Sequence, residues 1–199
     1  MSGETLAAHR RSLLANTFGN VLEIGFGTGL NLPFYPEAVT KLTTVDNNPG
    51  ARAIAARRIQ KTPPTFEVDS QTLSSESLPM ADQSFDCVVS TWTLCSISNV
   101  KQALQEIHRV LKPGGHFFFV EHGLSDDLKV QVWQNRLNPI QRIVGDGCNF
   151  NRNMRQLVEA QFTQVEIEAF PEPDLPSVMG YFYKGSAIKE IISTGRSLQ

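Results

Sequence analysis

The chain has 199 residues, 41% of them hydrophobic, and a formal net charge of −2. That is enough for one well-buried α/β domain, over residues 1–199, and short for two. The charge lacks the basic excess that grips nucleic acid through its phosphates, and no apolar run is long enough to span a bilayer. Nucleic acid and a membrane anchor are therefore set aside, and the expected location is cytoplasmic, because no signal-peptide core opens the chain. Cys87, Cys95 and Cys148 are odd in number and lack metal-type spacing, so neither a disulfide framework nor a metal site is expected.

Residues 4 to 18 carry Leu6, Leu13, Leu14 and Phe18 among polar neighbours, the pattern of a helix. With the rest of residues 1–19 it reads as a helical lid, and its His9 as an exposed side chain. The run Val21-Leu22-Glu23-Ile24 then enters Gly25-Phe26-Gly27-Thr28-Gly29. An apolar strand ending in alternating glycines makes a turn whose backbone a ligand can approach closely. A dinucleotide fingerprint needs its third glycine one residue later, where Leu30 stands, so a nicotinamide cofactor is disfavoured. Residues 31 to 36 hold two prolines, which predicts a short helix and a bend.

A second strand is predicted over 41–46, ending at Asp46, and a helix over 48–60 with Asn47 or Asn48 as cap and Pro49 in its first turn. The Asp46 carboxylate suits a ribose diol, because a charged acceptor makes the stronger hydrogen bonds. Arg52, Arg57, Arg58 and Lys61 read as that helix's solvated face. A third strand is expected over Thr65–Asp69 and a polar loop at Ser74-Ser75-Glu76-Ser77. Phe85–Ser90 is almost wholly apolar, as a central strand buried on both faces should be. Ligands bind beyond the carboxyl ends of such strands, which places Thr91 and Thr93 beside a cofactor and Leu94, Cys95 and Ser96 near the reacting group. Packing is the expected role of Cys95.

Val100, Ala103, Leu104, Ile107, Val110 and Leu111 share one stripe of a helix over 99–111, with His108 off it and facing solvent. Lys112-Pro113-Gly114-Gly115 stops this helix and turns the chain into the strand Phe117–Val120. At its end stand Glu121 and His122, a candidate general base beside a carboxylate. A helical region follows over 126–142, then the sharply turned Gly145-Asp146-Gly147-Cys148-Asn149, with Asn151 as cap for a helix to Gln161. Val165–Ile167 and Tyr181–Tyr183 read as the last two strands. Strands alternating with helices predict a parallel, helix-covered sheet.

The pattern Glu23-x-Gly25-x-Gly27-x-Gly29 with Asp46 closing the next strand resembles motif I of the class I S-adenosylmethionine-dependent methyltransferases. The resemblance implies a Rossmann-like fold with a seven-stranded, mostly parallel sheet and helices on both faces. It also implies S-adenosylmethionine as cofactor. Glu23, Gly25, Gly27, Thr28 and Gly29 would face its amino-acid end, Asp46 and Asn47 its ribose, Ser74 and Ser75 its adenine, and Thr91 and Thr93 would flank it. Phe34-Tyr35-Pro36, Leu94-Cys95-Ser96, Arg109–Gly115, Glu121-His122, Trp133, Asp146–Asn149 with Arg152, and Gly180-Tyr181 together look like the alkyl thiol S-methyltransferases of animals. Those proteins begin with an apolar anchor, absent from this sequence. The implied reaction is methyl transfer to a small thiol. His122 would assist deprotonation, Asp146 and Asn149 would orient the substrate, and Cys148 and Trp133 would line an apolar pocket. N-, O- or C-methylation of a phospholipid headgroup, a quinone or another small molecule, and a sensor that binds the cofactor without transfer, are the alternatives.

Overall fold

Seven strands form one sheet in the computed structural model, which describes residues 3–191; the outermost residues of the expected domain, 1–2 and 192–199, lie outside the described residues. The strands are β1 (Gly19–Ile24), β2 (Val39–Asp46), β3 (Glu67–Thr72), β4 (Phe85–Thr91), β5 (Leu111–His122), β6 (Gln164–Pro171) and β7 (Tyr181–Ile188). Their order is β3-β2-β1-β4-β5-β7-β6. The first five run parallel, and β7 lies antiparallel to both β5 and β6. The helices are α1 (Glu4–Leu14), α2 (Pro49–Lys61), α3 (Val100–Val110), α4 (Leu128–Val144) and α5 (Met154–Glu159). This is the mostly parallel, helix-covered sheet that the sequence predicts.

Successive strand residues point to opposite faces, so a sheet covered on both sides must be apolar at every position. Phe117 and Phe119 of β5 join Leu22, Ile24, Val88 and Ile107 in one buried cluster. Phe118 and Val120 join Val21, Cys87, Val89 and Phe182 in another. Each side chain so buried contributes about 1.5–3 kcal/mol.

Helix ends follow their caps. Asn48 accepts from the Gly50 and Ala51 amides ahead of Pro49, and Asn99 accepts from Gln102 at the start of α3. The expected cap of α5 is displaced: Asn153 accepts from Gln156, while Asn151 donates to Asn135 from outside the helix. β3 begins and ends later than the predicted 65–69, since pairing with β2 from Lys41↔Glu67 to Asp46↔Thr72 sets its register and an edge strand tolerates polar Ser70-Gln71-Thr72. Lys112–Gly115 lies inside β5 as a register shift between Phe85↔Leu111 and Cys87↔His116, so α3 passes directly into strand. His108 is not free in solvent: its ring packs on Phe162 and its Nε2 lies 3.4 Å from Glu190 Oε2. Residues 32–34 form the expected short helix. Among the described residues no helix is long and apolar enough to cross a membrane.

Candidate functional site

The carboxyl ends of β1, β2 and β4 open into a cavity of about 560 Å³. At its centre is the glycine turn. Gly25, Gly27 and Gly29 all have positive φ, 72°, 55° and 75°, in the left-handed region that side chains resist. They serve different ends. A Cβ on Gly25 would overlap the Thr93 side chain, whereas one on Gly27 would meet open space, with only the Gly25 carbonyl oxygen, at 4.0 Å, within reach. Gly27 therefore leaves room for a ligand. Gly29 packs against Leu32, Phe26 and Ala55 and does not line the cavity, which corrects its assignment as a cofactor contact.

Asp46 sits opposite the turn. Its Oδ2 accepts from the Gly27 amide and its Oδ1 from the Asn48 amide, each at 2.7 Å. A carboxylate has about four acceptor positions, so both oxygens keep capacity for hydroxyl donors. Glu23, Thr28, Asn47, Ser74, Ser75, Thr91 and Thr93 line the same cavity, as does Asp146 from the far loop. Sequence reasoning missed Arg10, Asn31 and Trp92. All three line the cavity, and each has a buried polar atom without a partner among the described residues: Arg10 Nε, Asn31 Oδ1 and Trp92 Nε1. A backbone cradle, an acceptor carboxylate and partnerless buried polar atoms fit a nucleoside with an amino-acid tail. The helix α1 brings Arg10 to the site, its guanidinium 4.5 Å above the Trp92 ring. The neighbouring His9 is neither exposed nor in the cavity, since Nε2 lies 2.8 Å from the buried Glu172.

Glu23 is fully buried. It accepts from Asn31 Nδ2 and meets the Tyr35 hydroxyl, each at 2.7 Å. Burial pushes its carboxyl up from 4.5 to about 8, against the opposing pull of Tyr35, Asn31 and Arg10. The raised value means that the folded chain holds this proton more tightly than the unfolded one. The resulting stability is full below about pH 4.5 and is lost as pH rises through about 8. Glu23→Gln copies the protonated pattern. We expect its thermal midpoint to stay level between about pH 5 and about pH 9 while that of the parent falls, and parallel curves would contradict this.

The catalytic assignments fare differently. Asn149 lines a second cavity of about 540 Å³ with Ser96, Ser98, Pro139, Arg142, Ile143, Gly147 and Arg152; Ser96 and Ser98 line both cavities. His122 lines neither, and its carboxylate neighbour points away from it. Glu121 is buried, accepting from Ser90 Oγ and the Thr93 and Cys95 amides, and so shapes the loop after β4. Leu94 and Cys95 are turned into the core, and of the trio expected near the reacting group only Ser96 reaches the cavities. Trp133 is 53% exposed under Arg136, and Cys148 is buried in the core, so they do not form an apolar pocket.

His122 Nδ1 instead lies 3.8 Å from Cys95 Sγ and 3.9 Å from Cys148 Sγ. The cysteines lack metal-type spacing in sequence, yet in space the Cys95, His122 and Cys148 ligand atoms lie within 4.8 Å of one another. The neighbouring Cys148 thiol, together with burial, pushes Cys95 up. The Cys95 thiol and His122 pull Cys148 down.

A family model described as a methyltransferase domain matches residues 22–119. The chain is 36% identical over 173 residues to thiol S-methyltransferase TMT1B of Rattus norvegicus, covering 85% of this chain and 70% of that protein. It is 32% identical over 197 residues to thiol S-methyltransferase TMT1A of Homo sapiens, covering 91% and 80%. In fold it is similar to Haemonchus contortus phosphoethanolamine N-methyltransferase 2 in complex with S-adenosyl-L-methionine, with a TM-score of 0.73 at 15% identity over 95% of this chain and 53% of that one. By its cofactor turn, its sheet order and these relatives, the chain belongs to the class I S-adenosylmethionine-dependent methyltransferases, in the family that contains the thiol S-methyltransferases.

Proposed function

We propose that the chain methylates a small thiol, taken as its thiolate in the second cavity. The observation that carries this reading is that cavity's charge: among the described residues Arg142 and Arg152 line it and no carboxylate does. A guanidinium within a few ångströms favours an anion and lowers an acid's pKa by about 1–3 units. A thiol of ordinary pKa near 8.5 is thereby largely ionised at neutral pH without a strong base. An ammonium group, the usual form of an amine acceptor, is disfavoured by the same two charges. The related proteins named thiol S-methyltransferases support the choice.

In the first cavity Asp46 would accept from the ribose, Ser74 and Ser75 would border the adenine, and Gly25 and Gly27 would leave backbone against the amino-acid tail. The bound cofactor supplies a methyl group on a cationic sulfur. What the chain adds is alignment, because Ser96 and Ser98 face both cavities and so bring acceptor and donor to one wall. Such positioning is worth up to about 7–11 kcal/mol. Asn149 would close the acceptor side, held by its Nδ2 donating to the carbonyls of Gly147 and Cys95, whereas Asp146, which lines the first cavity, would face the cofactor. His122 is assigned to the thiol cluster rather than to the substrate proton. The three cysteines are free thiols, which suits a reducing compartment such as the cytoplasm.

With an aliphatic thiol, turnover should rise with pH and level off below the free thiol's pKa. Arg142→Gln should lower turnover at about pH 7 by about 10-fold and approach the parent at high pH, since removing the cation returns the thiol to its ordinary pKa. A defect that stays constant across pH, or amines turned over faster than thiols and phenols, would favour the other acceptors.

A further inference from the structure

We propose that Cys95 Sγ, Cys148 Sγ and His122 Nδ1 form a three-ligand site for one zinc-class divalent cation, buried behind Ser96, which lines both cavities. The ligands come from three segments, the loop after β4, the end of β5 and the loop after α4, separated by 27 and 26 residues in sequence. Tetrahedral zinc, with bonds of about 2.3 Å to sulfur and about 2.0–2.1 Å to nitrogen, sets S···N edges of about 3.6 Å and an S···S edge of about 3.8 Å. The two S···N distances here, 3.8 and 3.9 Å, lie within a few tenths of an ångström of that edge, and all three atoms lie within 4.8 Å.

The frame around the cluster is fixed independently of any ion. The Asn149 amide donates to the Cys95 carbonyl at 2.9 Å and its side chain donates to the same oxygen at 3.2 Å, so the loop carrying Cys148 is clamped to the loop carrying Cys95. Arg152 donates to the adjoining Leu94 carbonyl, and Phe182 packs edge-on against the His122 ring at 5.0 Å. Two thiolates, a neutral imidazole and a dication sum to zero charge, which is the arrangement a dry interior tolerates. Two cysteines and a histidine also make a ligand set that catalytic zinc uses, leaving one position for water or substrate. Ser96, whose Oγ lies 3.8 Å from Cys95 Sγ, lines both cavities. The fourth position is assigned to the acceptor sulfur, and only this last assignment rests on the thiol reading above.

The test uses the whole chain, reduced and stripped with a chelator, then titrated with zinc against a chromophoric competitor and with cobalt. The expected result is one equivalent bound, a thiolate-to-cobalt charge-transfer band, and affinity lower by at least about 100-fold in both Cys148→Ser and His122→Gln. Retained binding of demethylated cofactor shows that the variants are folded. No binding by the parent, or binding unchanged in both variants, overturns the site. So does a Cys95–Cys148 disulfide formed with a mild thiol oxidant such as diamide at a rate that zinc does not slow. Adding an aliphatic thiol to the cobalt protein without cofactor should shift the ligand-field bands. Unchanged bands overturn coordination of the acceptor, whereas failure of thiol methylation itself is read separately from labelled methyl transfer.

Discussion

Asp46→Ala is expected to weaken binding of S-adenosylmethionine and its demethylated product by about 100-fold or more, while the protein stays folded. The carboxylate does two jobs at once. It fixes the turn, by accepting from the Gly27 and Asn48 amides, and it is the acceptor proposed for the ribose. Hydrogen bonds to a charged group contribute about 1.5–3 kcal/mol each, so losing the ribose contacts and loosening the turn together reach that fold-change. The structural penalty is smaller, because both residues line the cavity, where water can replace the carboxylate. Titration calorimetry with the demethylated cofactor and thermal unfolding of the same sample separate the two effects. Unchanged affinity would remove Asp46 from the site.

Gly25→Ala and Gly27→Ala are expected to fail in opposite ways. At Gly25 the new methyl would overlap Thr93, whose Oγ1 donates to the carbonyls of Gly25 and Thr91, and the residue would also have to hold φ near 72°. Overpacking adds about 1–3 kcal/mol to the roughly 1–2 kcal/mol of a left-handed non-glycine residue, so the protein should lose a large part of its stability. At Gly27 only the conformational cost applies, because the methyl would stand in open space beside the cavity. Gly27→Ala should therefore stay within about 1–2 kcal/mol of the parent in denaturant melts and yet lose most cofactor affinity. Equal destabilisation of the two variants, or full affinity in Gly27→Ala, would show that the turn is structural alone.

The contrast also shows which features sequence can reveal. Asp46 was legible because a strand end, a cap and Pro49 are all local signals, and the apolar run Phe85–Ser90 announced its place at the sheet centre. Arg10 was not, because nothing near it in sequence marks a cavity and only the long-range packing of α1 brings it there; Asn31 and Trp92 adjoin the marked segments Gly25–Gly29 and Thr91–Thr93, but residue type alone did not show that their side chains face the cavity. Pairing His122 with Glu121 misread the strand: neighbours on a strand point to opposite faces, so the carboxylate went to Ser90 and the β4 loop and the imidazole to two thiols. Those thiols are distant in sequence and bear no local pattern, and only the sheet order β1-β4-β5 with the loop after α4 folded over it brings them together. Asn151 and Trp133 failed for a simpler reason, since residue type suggests a cap or a pocket wall without fixing which turn of a helix it occupies.

The most direct measurement incubates the purified chain with S-adenosylmethionine carrying a carbon-13 methyl group and an aliphatic thiol, and follows the label by NMR. The expected result is a thioether methyl resonance that grows in step with demethylated cofactor and vanishes in Asp46→Ala. Cofactor bound with no label reaching sulfur, over a series of thiols of differing size and acidity, would contradict the assignment.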